Sequence, residues 1–121
     1  IDHFKRINDE YSHAAGDEAL QEVARVLRGT LDHDTMLARW GGEEFAVLFP
    51  LATVEQARVR CEAARAAIEH MNCDAFAPGW RMTVSGGVCE RTGLSHHEKL
   101  VSRADQLLYE AKRAGRNRIV G

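Results

Sequence analysis

Two adjacent acids, Glu43 and Glu44, follow two adjacent glycines, Gly41 and Gly42, in the stretch Gly41-Gly42-Glu43-Glu44-Phe45. Bare Cα atoms let a phosphate come close to the backbone, and neighbouring carboxylates supply hard oxygen donors that hold a divalent cation beside it. A second group of chemistry-bearing residues, Lys5, Asn8, His13 and Asp17, falls within thirteen residues. An ammonium neutralises phosphate charge as it moves in a transition state. An amide with a carboxylate can read a purine edge, the carboxylate accepting from ring and exocyclic N–H groups. Each residue also has a plain structural reading: a hairpin with a solvated acidic tip, a surface lysine, turn-forming Asn8 and Asp9, a hydrogen-bonding His13, a helix-capping Asp17. The phosphate-cradling G-x-x-x-x-G-K-[ST] loop and the H-E-x-x-H and G-x-S-x-G motifs are absent. Any bound nucleotide is therefore held in another way.

The elements that must position these groups follow from the apolar pattern. Met36 to Trp40 and Phe45 to Phe49 are short runs rich in strand formers, so Gly41 and Gly42 read as a two-residue hairpin loop needing positive φ. Ile1 to Phe4 reads as the tail of a strand, and Lys5 to Ala15 as polar and turn-like. From Gly16-Asp17 a helix carries Leu20, Val23, Ala24, Leu27 and Leu31 at helical spacing, with Asp17 and Glu18 suiting the dipole at its start. Thr53 and Gln56 form a capping box for a helix with Ala57, Cys61, Ala64, Ile68 and Met71 on one face. Arg81 to Val88 reads as a strand in which Gly86 and Gly87 mark a close backbone approach. Ser95 and Glu98 form another capping signature, opening a helix that buries Leu100, Ala104, Leu107, Leu108 and Ala111 and ends at Gly115. Asn117 to Val120 reads as a last short strand. The order is that of a ferredoxin-like βαββαβ core, α+β, with a mostly antiparallel sheet and helices packed around it. In that topology the first strand is central, bringing Ile1 to Lys5 beside Glu43 and Glu44.

Composition narrows the class. A chain of 121 residues, 45% hydrophobic and 28% charged, suits one globular domain, and a net charge of −2 gives no reason to expect nucleic acid or an anionic membrane surface. Three cysteines, Cys61, Cys73 and Cys89, without a C-x-x-C pair argue against a disulfide framework or a zinc site and fit a reducing cytosol. There is no apolar run long enough to span a membrane.

Ile1-Asp2-His3-Phe4-Lys5-Arg6-Ile7-Asn8-Asp9, Ser12-His13, Gly16-Asp17 and Gly41-Gly42-Glu43-Glu44-Phe45 resemble the GGDEF family of diguanylate cyclases. Ser85-Gly86-Gly87-Val88, Ala104-Asp105, Tyr109, Ala111-Lys112 and Gly115-Arg116-Asn117 continue the match in order and spacing, over essentially the whole of residues 1–121. The resemblance implies a nucleotide-cyclase-like fold. It also implies condensation of two GTP molecules into cyclic di-GMP and two pyrophosphates with Mg²⁺ or Mn²⁺, each domain of a homodimer presenting one GTP. Carried over by position, Gly41 and Gly42 approach the phosphates, Glu43 is a metal ligand and the base for the ribose 3′-hydroxyl, and Glu44 is the second metal-binding carboxylate. The backbone carbonyl of Ile1 matches a further metal ligand. Asn8 and Asp17 match the guanine readers, Lys5 the transition-state lysine, and Lys112 and Arg116 the terminal-phosphate contacts. His13, Asp2 and Asp9 occupy motif positions without a sharper role, His13 counting among the substrate-side residues.

Measured against that family, the chain is expected to be an N-terminally truncated segment, without the first metal-binding aspartate, the preceding helix and most of the first strand. The inhibitory R-x-x-D positions hold Asp32 and Thr35, so product inhibition through that site is expected to be absent. Ser12 replaces the usual glycine before the motif histidine, and Gly86 stands where an aliphatic residue is frequent. The parent protein is expected to carry an N-terminal sensory or receiver domain and to be cytoplasmic, or the cytoplasmic part of a membrane-anchored protein. Two rivals are a non-catalytic GGDEF module that binds GTP or cyclic di-GMP to regulate a partner, and a ferredoxin-like interaction domain without nucleotide. Glu43 and Glu44 speak against the first, since degenerate members usually lose these acids.

Overall fold

Phe4, Ile7 and Tyr11 recur at helical spacing, and Arg6 pairs with Glu10 one turn on at 3.0 Å. The segment folds as helix α1, Phe4–Glu10, with Tyr11 as its C-cap and Ile7 fully buried. The computed structural model describes residues 1–93 and 96–121. Helix α2 spans His13–Thr30, the hairpin strands β1 and β2 are Met36–Arg39 and Phe45–Leu48, and α3 spans Val54–Glu69. Strand β3 is Gly86–Gly87, α4 is His97–Arg113 and β4 is Ile119–Val120.

The segment expected to be turn-like is thus mostly helical, because Ile7 anchors α1 in the core. Helix α2 starts earlier than Gly16-Asp17: the Ser12 hydroxyl accepts the Ala15 amide at 3.0 Å, the N-cap arrangement. Ala15, Ala19, Leu20 and Val23 form its buried stripe. The capping box of α3 is formed in both directions between Thr53 and Gln56, and Ala57, Ala64 and Ile68 are buried on its inner face. Ser95 lies outside the described residues; His96 occupies the N-cap of α4 and makes no side-chain cap bond.

β1 and β2 are antiparallel, and β3 pairs with β4 in parallel. Of the expected strand over residues 81–88 only Gly86–Gly87 pairs in this ladder, and of residues 117–120 only Ile119–Val120. The two strand pairs are linked through the first residues of the chain. The Ile1 nitrogen donates to the Glu43 carbonyl at 3.0 Å, and the Asp2 amide donates to the Thr83 carbonyl at 3.0 Å. Successive N–H groups bonding to opposite sides is the behaviour of a central strand, although His3, at φ 55°, turns the chain straight into α1. The order of elements and the central position of the first residues agree with the ferredoxin-like reading, and the fold is α+β.

The core is made by Ile7, Ala15, Ala19, Val23, Ile68 and Met82, together with Cys73. Helix α2 packs on α1 and α3, and α4 packs on β3 and β4. Gly87 is where α4 comes closest, since a Cβ there would lie 2.4 Å from the Ala104 carbonyl oxygen. No helix among the described residues is long and apolar enough to cross a membrane.

Candidate active site

Register places Arg39 opposite Phe45, which leaves Trp40 to Glu44 as a five-residue loop. The expected two-residue turn with positive φ is not formed, and neither Gly41 nor Gly42 has a positive φ. The loop closes by other means. The amides of Trp40 and Gly41 both donate to the Glu44 carbonyl, at 2.8 and 3.3 Å. The Arg39 guanidinium then reaches forward, Nε to the Gly41 carbonyl at 3.2 Å and Nη2 to the Gly42 carbonyl at 2.7 Å. Sequence reasoning missed this residue; the available signal was a forked donor two positions before a glycine pair. A Cβ on Gly42 would meet nothing within 4 Å, so the tip faces open space.

Glu43 and Glu44 are half-buried, and among the described residues neither carboxylate has a hydrogen-bond or ion-pair partner. The Ile1 nitrogen donates to the Glu43 carbonyl at 3.0 Å and lies within reach of the charges of Glu43, Glu44 and Lys112. Ile1, Glu43, Glu44 and Lys112 therefore share one neighbourhood. Two carboxylates without proton donors are hard oxygen ligands, and a backbone carbonyl from Ile1 would be a third of the same kind. Among the described residues no group of three His, Cys, Asp or Glu could hold a metal by itself. That set fits Mg²⁺ or Mn²⁺, because Mg²⁺ is commonly held by one or two carboxylates with water and substrate phosphates completing its shell.

Asn8 and Asp17 are brought together by a glycine. A Cβ on Gly16 would sit 1.9 Å from Asn8 Oδ1, so the Asn8 amide rests directly on the backbone that precedes Asp17. Asp17 is exposed on α2, in its second turn rather than at its start. An open groove of about 310 Å³ begins one turn further on, between α2 and the hairpin, lined by Leu20, Gln21, Ala24, Arg28, Arg39 and Phe45. Lys5 is exposed on α1 and His13 is exposed at the first position of α2. Neither has a hydrogen bond or ion pair to the hairpin acids among the described residues.

Lys112 lies in the last turn of α4. The helix ends in a Schellman arrangement: Arg116 N–H donates to the Ala111 carbonyl at 3.0 Å, Gly115 N–H to that of Lys112 at 3.4 Å, and Gly115 has φ 119°. Arg116 and Asn117 follow in the left-handed region, at φ 64° and 49°. Positions 32 and 35 are occupied by neighbouring groups: Asp32 pairs with Arg60 at 2.9 Å, and the Thr35 hydroxyl donates to the Asp32 carbonyl at 2.6 Å.

Comparison with known proteins bears on the family and the fold. The family profile described as "Diguanylate cyclase, GGDEF domain" matches residues 1–118. Diguanylate cyclase DgcP of Pseudomonas aeruginosa is 44% identical over 119 residues, covering 98% of this chain and 18% of the relative. Diguanylate cyclase VdcA of Vibrio cholerae is 39% identical over 123 residues, covering 99% of this chain and 36% of the relative. The chain thus spans between about a fifth and about a third of the length of these curated relatives. Among solved structures, the GGDEF domain of DgcB from Caulobacter crescentus, in complex with c-di-GMP, superposes with a TM-score of 0.92 at 34% identity, covering 99% of this chain and 72% of that one. The active GGEEF domain of a diguanylate cyclase from Vibrio cholerae superposes at 0.89 with 32% identity, covering 99% and 76%. By sequence and by fold, this chain belongs to the GGDEF-domain family.

Proposed function

We propose that this domain condenses two GTP molecules into cyclic di-GMP with release of two pyrophosphates, acting as a homodimer in the cytoplasm within a longer, signal-responsive protein. The observation that carries the reading is the hairpin tip, where, among the described residues, the Glu43 and Glu44 carboxylates have no partner, the Glu43 carbonyl holds the Ile1 nitrogen at 3.0 Å, and Gly42 faces open space.

Glu43 and Glu44, with the Ile1 carbonyl, would hold Mg²⁺ or Mn²⁺. The bound cation supplies charge neutralisation at the phosphate oxygens. Asn8 and Asp17 hold the guanine edge, the amide orienting on Gly16 and the carboxylate accepting from the ring N–H and the exocyclic amine. Gly41 and Gly42 let the phosphates approach the loop, with Arg39 fixing its shape. Lys112 and Arg116 meet the terminal phosphates, and Lys5 offsets charge on the reacting one. The ribose 3′-oxygen bound to one domain attacks the α-phosphorus bound to its partner. Its proton passes to the Glu43 carboxylate, a new P–O bond forms, and the bond to the pyrophosphate oxygen breaks. The same step in the other direction closes the ring. With Asp32 and Thr35 at the positions of the R-x-x-D pair, product does not inhibit through that site.

The test is to incubate the intact protein with GTP and Mg²⁺ and separate the products by chromatography, with Glu43→Ala in parallel. Cyclic di-GMP from the unsubstituted protein alone is the expected result. GTP binding without product, at protein concentrations that force dimers, would instead make this a regulatory nucleotide-binding module.

A further inference from the structure

Asp2 occupies a motif position that the proposed chemistry does not use, yet it is the one strongly buried charged residue among those described, at 3% exposure. Its carboxylate is fully engaged. Oδ2 accepts from the Thr83 hydroxyl at 2.8 Å and from the Asn117 amide at 3.1 Å, and Oδ1 accepts from the Ser85 hydroxyl at 2.7 Å. The Ser85 oxygen also lies 3.2 Å from the same Asn117 amide. Asn117 is the second of two consecutive left-handed residues, the first being Arg116. A non-glycine backbone in that region is strained and persists only where its surroundings hold it. Here the Asn117 amide is held from one side by Asp2 and Ser85. Its side chain is held from the other by α3, accepting from Arg65 at 2.7 Å and donating to Glu69.

We infer that Asp2 is a positioning residue for the phosphate end of the substrate: its carboxylate locks the Arg116-Asn117 turn and so aims Arg116 at the terminal phosphates. The inference rests on the proposed GTP chemistry. It differs from a general stabilising role, because the groups that hold Asp2 lie at the Arg116 end, whereas Asn8 and Asp17 stand on α1 and α2 and share none of them. Loss of the carboxylate should therefore separate phosphate affinity from base affinity.

The experiment compares dissociation constants for GTP and GMP in the intact protein with Mg²⁺, with thermal unfolding as the control for folding. Asp2→Ala should weaken GTP about tenfold, the scale of a lost hydrogen bond to a charged group, and leave GMP within about twofold. Asp2→Asn should restore most of the GTP affinity, since its amide can donate to Ser85 while its oxygen still accepts from Asn117. In an Arg116→Ala background the Asp2 substitution should add nothing further, as expected for residues acting through one another. If Asp2→Ala does not fold, Ser85→Ala and Asn117→Gly carry the same comparison, the latter keeping the left-handed backbone while releasing the hold of α3. Equal losses for GTP and GMP, additive effects with Arg116→Ala, or an unchanged GTP to GMP ratio in a folded variant would overturn the inference. An unsubstituted protein that binds no GTP would instead overturn the functional reading beneath it.

Discussion

A methyl group at Gly16 would fall 1.9 Å from Asn8 Oδ1 and 3.3 Å from the Phe4 ring, so a glycine of α2 sets the place of an amide proposed to read guanine. Gly16→Ala should gain helix propensity of about 1 kcal/mol while displacing Asn8. We expect KM for GTP to rise about tenfold and the preference for GTP over ITP, which lacks the exocyclic amine, to shrink, with little change in thermal stability. Steady-state kinetics on both nucleotides checks it. Asp17→Ala should weaken GTP binding and relax guanine preference in the same direction; unchanged affinity would leave Asp17 as a surface acid of α2. Glu43→Ala should remove product while the melting temperature stays close to that of the parent, since an open loop contributes little to the core. Turnover near the parent level in that variant would refute the proposed base. The proposed roles at these positions come from the order of Gly41 to Glu44, Asn8 and Asp17 in the sequence. The partners were less so: Arg39 reaches forward to the glycine carbonyls, and its place two positions before the glycine pair is the one trace of that in the sequence.

The helices were legible where the apolar period is long. The faces of α3 and α4 and the Thr53 capping box all read directly from spacing, and Gly115 ends α4 as its chemistry requires. Thr53→Ala should cost about 1 kcal/mol, measurable by urea denaturation as a lower midpoint with an unchanged slope. Helix α1 was not legible, because a helix of 7 residues offers only Phe4, Ile7 and Tyr11 as periodic signal amid polar neighbours. Its stability comes from burying Ile7, a tertiary effect. The hairpin strands were found but their turn was not, since the glycines suggested a tight turn while Arg39 and the Glu44 carbonyl support a longer loop. Arg81 to Ser85 read as a strand from its pattern, yet backbone pairing there comes from Asp2, a contact no local window contains.

Across the molecule, burial raises the pKa of Cys61 to about 11 and also raises those of Cys73 and Cys89. A raised folded-state pKa means that the neutral thiol is favoured in the native state. Its contribution is complete below the ordinary thiol value near 9 and is lost as pH climbs towards about 11. Denaturation midpoints should therefore fall over that alkaline range, and Cys61→Ala should flatten part of the slope. Glu69 has the opposite sign. Hydrogen bonding from Asn117, with the charge of Arg65 behind it, lowers its pKa, so its contribution is present above the ordinary glutamate range and fades as acid protonates it.

The Asn117 amide that ends on the Asp2 carboxylate joins residues 115 apart in sequence. Contacts of such separation form late, because the closure entropy of so long a loop stands against them. A ribosome-bound chain would have its helices and hairpin before it had a finished phosphate site. During synthesis, then, nucleotide capture would switch on only once residue 117 has cleared the exit tunnel and its amide has reached Asp2.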